Sequence, residues 1–227
     1  VVRNGRIVGR GYHKRAGTDH AEVAALKDAG KMARGATLFV TLEPCSTFGR
    51  TPPCTRAIRA AGVSRVVVSV PDPNPAHNGR GIRLLRRAGI RVAVAVCERD
   101  GRALVAPFSK WALTGLPYVT LKLGTSIDGK ISDLEGRSRW ITSEASRRLV
   151  KKLRGEVDAV MVGAATAVLD NPSLLPAAGA GSKPLRVITS ARGGLLLSAK
   201  VFSDGKAART VIATTNRSLY HEVEQGR

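Results

Sequence analysis

One histidine, one glutamate and two cysteines near the start of the chain have the types and spacing of a catalytic metal site. His20 and Glu22 stand two residues apart, and Cys45 and Cys54 follow further along the chain. Imidazole and thiolate groups bind zinc well, and a catalytic zinc site uses three protein ligands and keeps the fourth position for water. Cys97 ends an apolar run and is predicted to be a core residue, so three ligands are expected and not four. Bound zinc makes water nucleophilic near neutral pH.

Glu22 is not needed as a ligand, and we predict that it is the general acid and base that moves protons at that water. The pattern resembles the signature of zinc-dependent nucleic-acid deaminases, in which H-x-E precedes P-C-x-x-C. Pro44-Cys45 fits, but eight residues separate Cys45 from Cys54 where that signature has two. Two prolines before Cys54 stiffen the approach, and a helix predicted after it favours a thiolate at the helix N-terminus. The alternative is a pair of ordinary buried thiols with a surface histidine.

The surrounding segments predict an α/β architecture. A strand or hairpin arm is expected over 6–12, a buried strand over 37–42, and further strands over 64–70 and 91–96. Helices are expected over 20–34, 55–61, 81–88 and 98–114, the last interrupted near Pro107. This alternation predicts a largely parallel sheet with helices on both faces. The segment 115–117 (GLP) contains a glycine and a proline, which typically interrupt regular structure. It is predicted to divide a domain over 1–115 from a domain over 116–227. The second is expected to hold strands over 118–123, 158–162, 185–189 and 210–214, a helix from 163, and a helix over 142–154 capped by Thr142 or Ser143.

Composition limits the classes of partner and compartment. The chain has 37 Lys and Arg against 17 Asp and Glu, a formal net charge of +20, which favours a polyanionic partner. However, the basic residues are distributed, and the group over 147–154 is predicted to be a solvated helix face. An aromatic content of 4% argues against a base-stacking platform, so a nucleic acid is not the expected partner. No apolar run reaches about 18 residues, so no membrane partner is expected. Three cysteines and no secretory signal predict a cytoplasmic protein.

Taken together, the motifs resemble the bifunctional deaminase and reductase of riboflavin biosynthesis. The deaminase half of the resemblance rests on the segments 19–22 (DHAE), 42–45 (LEPC) and 49–54 (GRTPPC). It continues through 72–75, 79–81, 115–122, 128–130, 140–143 and 170–174, in the order of the family. The resemblance implies a cytidine-deaminase-like three-layer α/β domain without its N-terminal segment, followed by a partial dihydrofolate-reductase-like domain without its C-terminal part.

The resemblance also implies two reactions and their site residues. The first is zinc-dependent hydrolytic deamination of a phosphoribosylated diaminopyrimidinone, and the second is NADPH-dependent reduction of the ribose of the product to a ribityl chain. In the deaminase it implies His20, Cys45 and Cys54 as ligands, Glu22 as the catalytic residue, and His13 and Arg50 at the substrate. In the reductase it implies an NADPH site lined by Gly124, Trp140, Thr166, Asp170 and Ser190, and substrate contacts by Lys122, Ser138, Arg154 and Leu174. A homodimer through the second domain would fit the family.

Two positions depart from the pattern of the family. Thr47 stands where a histidine is common beside the metal loop, and Ala177 stands where an arginine usually meets the substrate phosphate, with Lys183 or Arg186 as nearby substitutes. Two alternatives therefore stay open. One is a nucleic-acid base deaminase of the tRNA type, which the net charge favours and the cysteine spacing disfavours. The other is a catalytically degenerate binding protein with a deaminase fold.

Overall fold

The computed structural model describes residues 1–138, 140–180, 183–191 and 198–215. The chain divides into two compact units, Val1–Thr120 and Leu121–Arg227. The boundary predicted at 115–117 lies just inside the first unit, and the roles assigned to the two predicted domains stay predictions. None of the described helices combines the length and the apolar character that crossing a bilayer requires.

The first unit is built on a five-stranded sheet with the strand order β2-β1-β3-β4-β5. Strands β1 (Val2–Arg3) and β2 (Arg6–Ile7) form a short antiparallel hairpin at one edge. Strands β3 (Thr37–Leu42), β4 (Arg65–Val70) and β5 (Arg91–Val94) are parallel. Thr37 pairs with Arg65, and Arg65 pairs with Arg91, so the three parallel strands begin side by side. The sheet is largely parallel as predicted, but the strand expected over 6–12 is only two residues long.

Four helices accompany this sheet: α1 (Ala21–Ala29), α2 (Cys54–Ala60), α3 (Arg80–Arg87) and α4 (Glu98–Thr114). The first three bury Leu26, Ile58 and Leu85 in one core together with Val66 and Val68 of β4. Val67 is buried as well, although successive strand residues point to opposite faces. On that second face Gly101 of α4 lies against Ser69 so closely that a Cβ would not fit. The first unit therefore has three layers, with helices on both faces of the sheet.

Several element predictions were wrong in detail. The helix expected over 20–34 ends at Ala29, because Gly30 adopts φ 50° and a 3₁₀ turn follows. The strand over 37–42 is mostly not buried, since Leu38 alone in it is inaccessible. Cys97 is exposed and not part of the core, because β5 ends at Val94 and the chain turns there with Cys97 at φ 53°. Helix α4 continues through Pro107 without interruption.

The second unit holds a three-stranded parallel sheet of β6 (Ala159–Gly163), β7 (Leu185–Thr189) and β8 (Thr210–Ala213), in that order. Its helices are α5 (Glu144–Arg154), α6 (Ala164–Asp170) and α7 (Lys200–Ser203). Ser143 caps α5, since its Oγ accepts a hydrogen bond from the Ser146 N–H at 3.3 Å. The strand predicted over 118–123 does not form, because no strand of the described residues completes its hydrogen-bond ladder.

Arg186 lies in the core of the second unit and not at a ligand site. Its guanidinium donates from Nη1 to Asp204 Oδ2 at 2.5 Å and to the Ser173 carbonyl at 3.2 Å. Nη2 donates to the carbonyls of Val201 and Lys206, both at 2.7 Å. The hydrogen bond from Arg186 lowers the pKa of the Asp204 carboxyl. Because the terminal nitrogens are committed to protein acceptors, Arg186 does not replace the substrate-phosphate arginine that is missing at Ala177.

Candidate metal centre

His20, Cys45 and Cys54 come from three separate turns that meet at the C-terminal end of β3. His20 has extended backbone geometry and immediately precedes α1, with its carbonyl accepting the Ala24 N–H at 3.0 Å. It was expected inside the helix and lies one residue outside. Cys45 follows β3 directly after Glu43 and Pro44, and Cys54 is the first residue of α2. The carboxyl ends of parallel strands are where open α/β sheets usually bind ligands.

The three ligand atoms have the spacing of a metal site. His20 Nδ1 lies 3.2 Å from Cys54 Sγ and 3.5 Å from Cys45 Sγ, and all three atoms lie within 4.8 Å of one another. Tetrahedral zinc separates a nitrogen ligand from a sulfur ligand by about 3.6 Å. The donor set and its geometry therefore fit zinc. No fourth His, Cys, Asp or Glu joins the group in the part of the chain that the structure describes, which suits a site that keeps one position open.

The two cysteines are electrostatically unequal. The pKa of the Cys45 thiol is lowered to about 5, chiefly because the Cys54 thiol donates a hydrogen bond to it. The Cys54 backbone N–H, at the start of α2, lies 3.2 Å from the same sulfur. That thiol hydrogen bond and burial raise the pKa of Cys54. Without a metal the pair thus holds one thiolate, and zinc binding must release a proton from Cys54.

Glu22, the predicted catalytic residue, is beside the ligand group without belonging to it. It is the second residue of α1, and burial raises the pKa of its carboxyl. A hydrogen bond with the Cys54 thiol acts in the opposite direction. A carboxyl whose pKa is raised towards neutrality can both accept and return a proton. The geometry therefore places a candidate proton carrier at the metal ligands.

The two residues predicted to contact the deaminase substrate are placed differently. The His13 ring meets the His20 ring edge-on, with the centroids 5.2 Å apart, and His13 Nδ1 lies 3.1 Å from the Asp19 carbonyl. Gly11 permits this approach, because a Cβ there would collide with the Ala21 carbonyl of α1. Arg50 is exposed in the loop between the two cysteines. The structure thus brings His13, and not Arg50, into contact with a metal ligand.

Thr51 is a neighbour of the metal ligands that the sequence analysis left without a role. Its Oγ1 lies 3.4 Å from His20 Nε2, the ring nitrogen that faces away from the sulfurs. A partner on the second ring nitrogen fixes the tautomer and orientation of a ligating histidine. The only sequence signal was that Thr51 lies in the loop that returns Cys54 to the metal.

Glu43 is a second residue whose role the sequence did not reveal. Its side chain is 4% exposed, and its carboxylate accepts three backbone hydrogen bonds. Oε2 accepts from the N–H groups of Asp72 at 3.1 Å and Gly79 at 2.8 Å, and Oε1 accepts from the Ile82 N–H at 3.2 Å. Glu43 therefore fastens the loop after β4 and the start of α3 to the segment that carries Cys45.

We expect Glu43→Gln to lower the free energy of unfolding of the first unit by about 2 kcal/mol, because the amide NH₂ cannot accept a hydrogen bond and leaves buried N–H groups unpaired. Hydrogen-exchange mass spectrometry of peptides from β3 and β4 measures this change. The matched control is Glu98→Gln, which removes an exposed pair with Arg102 and should change the same exchange by less than about 1 kcal/mol. Equal effects of the two variants would contradict the assigned role of Glu43.

The predicted reductase residues are connected in pairs. Ser138 Oγ donates to Asp170 Oδ1 at 2.6 Å, and a Cβ on Gly124 would lie 3.5 Å from Lys122 Nζ. The Arg147 guanidinium lies over the Trp140 ring, 4.2 Å from its centroid, a contact that the sequence analysis missed. The hydrogen bond between Ser138 and Asp170 joins a predicted substrate position to a predicted cofactor position, and Gly124 lies beside the Lys122 amine without a side chain of its own.

The remaining predicted residues of the second unit occupy three different settings. Thr166 in α6 and Ser190 after β7 both follow the carboxyl ends of neighbouring parallel strands. Arg154 is half-buried with a pKa lowered by burial, and it donates to the Leu175 carbonyl at 3.3 Å. Leu174 is 1% exposed as a whole residue and packs in the core with Ile188 and Val201, so the structure does not bring it to an accessible surface.

Family models match both units. Residues 1–70 match the cytidine and deoxycytidylate deaminase zinc-binding region, and residues 117–224 match the RibD C-terminal domain. Among curated proteins, riboflavin biosynthesis protein RibD of Aquifex aeolicus is 48% identical over 213 residues, which is 93% of this chain and 60% of that protein. Its Escherichia coli counterpart is 51% identical over 174 residues, covering 77% of this chain and 47% of that protein.

Solved structures agree with the family models. RibD of Acinetobacter baumannii superimposes with a TM-score of 0.83 at 40% identity, covering 97% of this chain and 63% of that one. A diaminohydroxyphosphoribosylaminopyrimidine deaminase/5-amino-6-(5-phosphoribosylamino)uracil reductase of Thermotoga maritima gives 0.84 at 39% identity, covering 95% and 62%. The chain thus spans about half to three fifths of the length of these relatives. The predicted fold class, a cytidine-deaminase-like unit followed by a unit of dihydrofolate-reductase type, is confirmed.

Proposed function

Since this chain belongs to the family of the riboflavin biosynthesis protein RibD, we propose that its first unit is a zinc-dependent deaminase and its second unit a reductase. The deaminase acts on 2,5-diamino-6-(5-phosphoribosylamino)pyrimidin-4(3H)-one, replacing an amino group of the pyrimidine with oxygen and releasing ammonia. The observation that carries this proposal is the group of His20, Cys45 and Cys54, which has zinc geometry, with Glu22 beside it and no fourth ligand among the described residues.

The residues of the first unit divide the work of the proposed reaction. Zinc held by His20, Cys45 and Cys54 supplies Lewis-acid activation of water at neutral pH. Glu22 takes a proton from the attacking water and returns it to the departing amine, so one water is consumed for each ammonia released. Thr51 holds the imidazole of His20 in the orientation that points Nδ1 at the sulfurs. His13, in contact with His20, and Arg50 bind the substrate.

In the second unit the proposed cofactor is NADPH, which supplies a hydride for reduction of the ribose. Thr166 and Ser190 lie at the carboxyl edge of the parallel sheet, where such folds bind nucleotide cofactors. Gly124 leaves the space beside Lys122 free, and Asp170 is tied to Ser138. We assign Trp140 to the same cofactor site, and Lys122, Ser138 and Arg154 to the phosphorylated substrate, whereas the predicted contact at Leu174 is not retained because that residue is buried in the core. Ala177 carries no charge and cannot replace the arginine that usually meets the substrate phosphate. We therefore assign the phosphate to the half-buried Arg154.

Two properties of the whole protein are proposed on separate grounds. Cys45 and Cys54 must stay reduced to bind zinc, which supports a cytoplasmic location. One face of the β6-β7-β8 sheet is apolar and exposed, with Met161 63%, Leu185 41% and Val211 45% accessible. Apolar sheet faces are normally covered, which supports a homodimer through the second unit. Native mass spectrometry reports the number of chains.

The decisive experiment measures zinc content and ammonia release on one preparation, first without NADPH. We expect one zinc ion per chain and ammonia from the diaminopyrimidinone ribotide, but none from cytidine or from an RNA hairpin. Oxidation of NADPH with the deaminated ribotide tests the second unit separately. Bound zinc with no ammonia from any substrate would overturn the deaminase proposal and favour a degenerate binding protein, whereas ammonia from the hairpin would favour a nucleic-acid deaminase.

A further inference from the structure

A cleft of about 680 Å³ lies at the edge of the first unit opposite the metal centre. It is lined by α2, the end of α3 and the turns that lead into β4 and β5, namely Arg56, Arg59, Ala60, Gly62, Val63, Ala88, Gly89 and Ile90. The metal ligand Cys45 follows the C-terminal end of β3, whereas these turns precede the N-terminal ends of the parallel strands. The cleft is therefore separate from the deaminase site.

Three further arginines lie at the same end of the sheet as the cleft. A Cβ on Gly62 would lie 3.5 Å from Arg34 Cγ, and Gly35 donates its N–H to the Gly62 carbonyl at 2.8 Å. Arg65 and Arg91 are register partners at the beginning of β4 and β5, and strand alternation directs both side chains to the face of the sheet that α4 covers. We call Arg34, Arg56, Arg59, Arg65 and Arg91 the arginine edge. All five are exposed, and none forms an ion pair with any residue that the structure describes.

The acidic residues of this part of the chain do not offset the arginine edge. Between residues 31 and 94 there are eleven Lys and Arg but only two acidic residues, Glu43 and Asp72. Both follow the C-terminal ends of strands. The carboxylate of Glu43 is buried there and accepts three backbone hydrogen bonds. The parallel direction of the strands thus places the two carboxylates at one end of the sheet and the five arginines of the arginine edge at the other. Uncompensated positive charge of this kind attracts polyanions.

We propose that the arginine edge binds the sugar-phosphate backbone of a nucleic acid strand, independently of its base sequence. Five guanidinium groups from four segments exceed what a single phosphate can occupy, and each can form bidentate hydrogen bonds to a phosphate. No aromatic residue lines the cleft, so base stacking does not contribute and sequence is not recognised. The ends of α2 and α3 present the negative ends of their dipoles, so binding depends on the arginine side chains themselves. The strand is a partner and not the deaminase substrate.

The test uses fluorescence anisotropy of a labelled, mixed-sequence single-stranded RNA of about 16 nucleotides at several salt concentrations. If all five arginines pair with phosphates, log Kd changes with log salt with a slope of about 3.5, and Arg56→Gln/Arg59→Gln lowers that slope by about 1.4. At low salt the same variant should bind about tenfold more weakly. Arg65→Gln/Arg91→Gln, which changes a different pair of the same edge, should give the same loss. Zinc content reports that both variants remain folded.

The matched control is Arg99→Gln/Lys110→Gln, which removes the same net charge from exposed positions of α4 outside the cleft. We expect it to bind RNA within about twofold of the unmodified chain, because it leaves the phosphate contacts intact. An equal loss in this control would overturn the proposal, since attraction would then come from the overall charge. Binding of inorganic phosphate at millimolar concentration, with no binding of RNA, would also overturn it, in favour of a small-anion site.

Discussion

Glu22→Gln should lower the rate of ammonia release by at least a hundredfold while the chain keeps its zinc. The amide has nearly the shape of the carboxylate but cannot take a proton from water or return one to the departing amine, and general acid–base catalysis typically contributes about 10²–10⁴-fold. Because Glu22 is not among the three ligands, zinc content measured by atomic absorption should be unchanged. The loss should appear in kcat, since the proton transfer belongs to the chemical step.

Asp28→Asn is the matched control for this variant, because it changes an exposed carboxylate on the same helix. Its amide oxygen can still accept the hydrogen bond from the Arg10 N–H, which is 2.8 Å long in the unmodified chain. We expect its activity to stay within about twofold, as surface substitutions usually have small effects. A Glu22→Gln chain that kept its zinc and released ammonia at the full rate would exclude Glu22 as the proton carrier.

Arg186→Met should lower the free energy of unfolding of the second unit by about 3–5 kcal/mol, because three backbone carbonyls and the partly exposed Asp204 carboxylate lose one buried, charged donor. Methionine fills part of the space but leaves Asp204 and the carbonyls of Ser173, Val201 and Lys206 without their donor. Hydrogen exchange of peptides from β6 and β7 measures the change, and peptides of the first unit serve as an internal reference.

The pH dependence of the same exchange gives a second readout. Arg186 lowers the pKa of Asp204, so the stabilisation from this carboxylate is present at neutral pH and is lost as the pH falls below the ordinary range of an aspartate, about 4. Arg186→Met should weaken this acid dependence. Arg209→Met, at an exposed position of the same unit, should leave both stability and acid dependence nearly unchanged. If the two methionine variants behaved alike, Arg186 would not be the centre of this core.

The sequence alone was enough to identify the chemistry of the first unit. His20, Cys45 and Cys54 are residue types that bind zinc. Glu22 stands two positions after the histidine, as in the H-x-E signature of zinc deaminases, and such a short motif is visible in the sequence itself. Strands and helices of the first unit were also predictable, because apolar periodicity and the glycine and proline signals are local. The α/β class followed from the alternation of these elements, whereas the specific fold of each unit came from the resemblance of the motifs to a known family.

Contacts between distant segments could not be predicted, since they depend on strand order and register. Three examples depend on how the chain turns between elements. They are the three backbone hydrogen bonds to the buried Glu43 carboxylate, the approach of Thr51 to His20 Nε2, and the exposure of Cys97. From the sequence, Arg186 was a candidate phosphate ligand. In the structure it lies in β7 with its side chain in the core of the second unit. The arginines likewise seemed distributed, because residues 34 and 91 are far apart in sequence. Only the parallel register of β4 and β5, which aligns the beginnings of strands, brings these charges together at one edge.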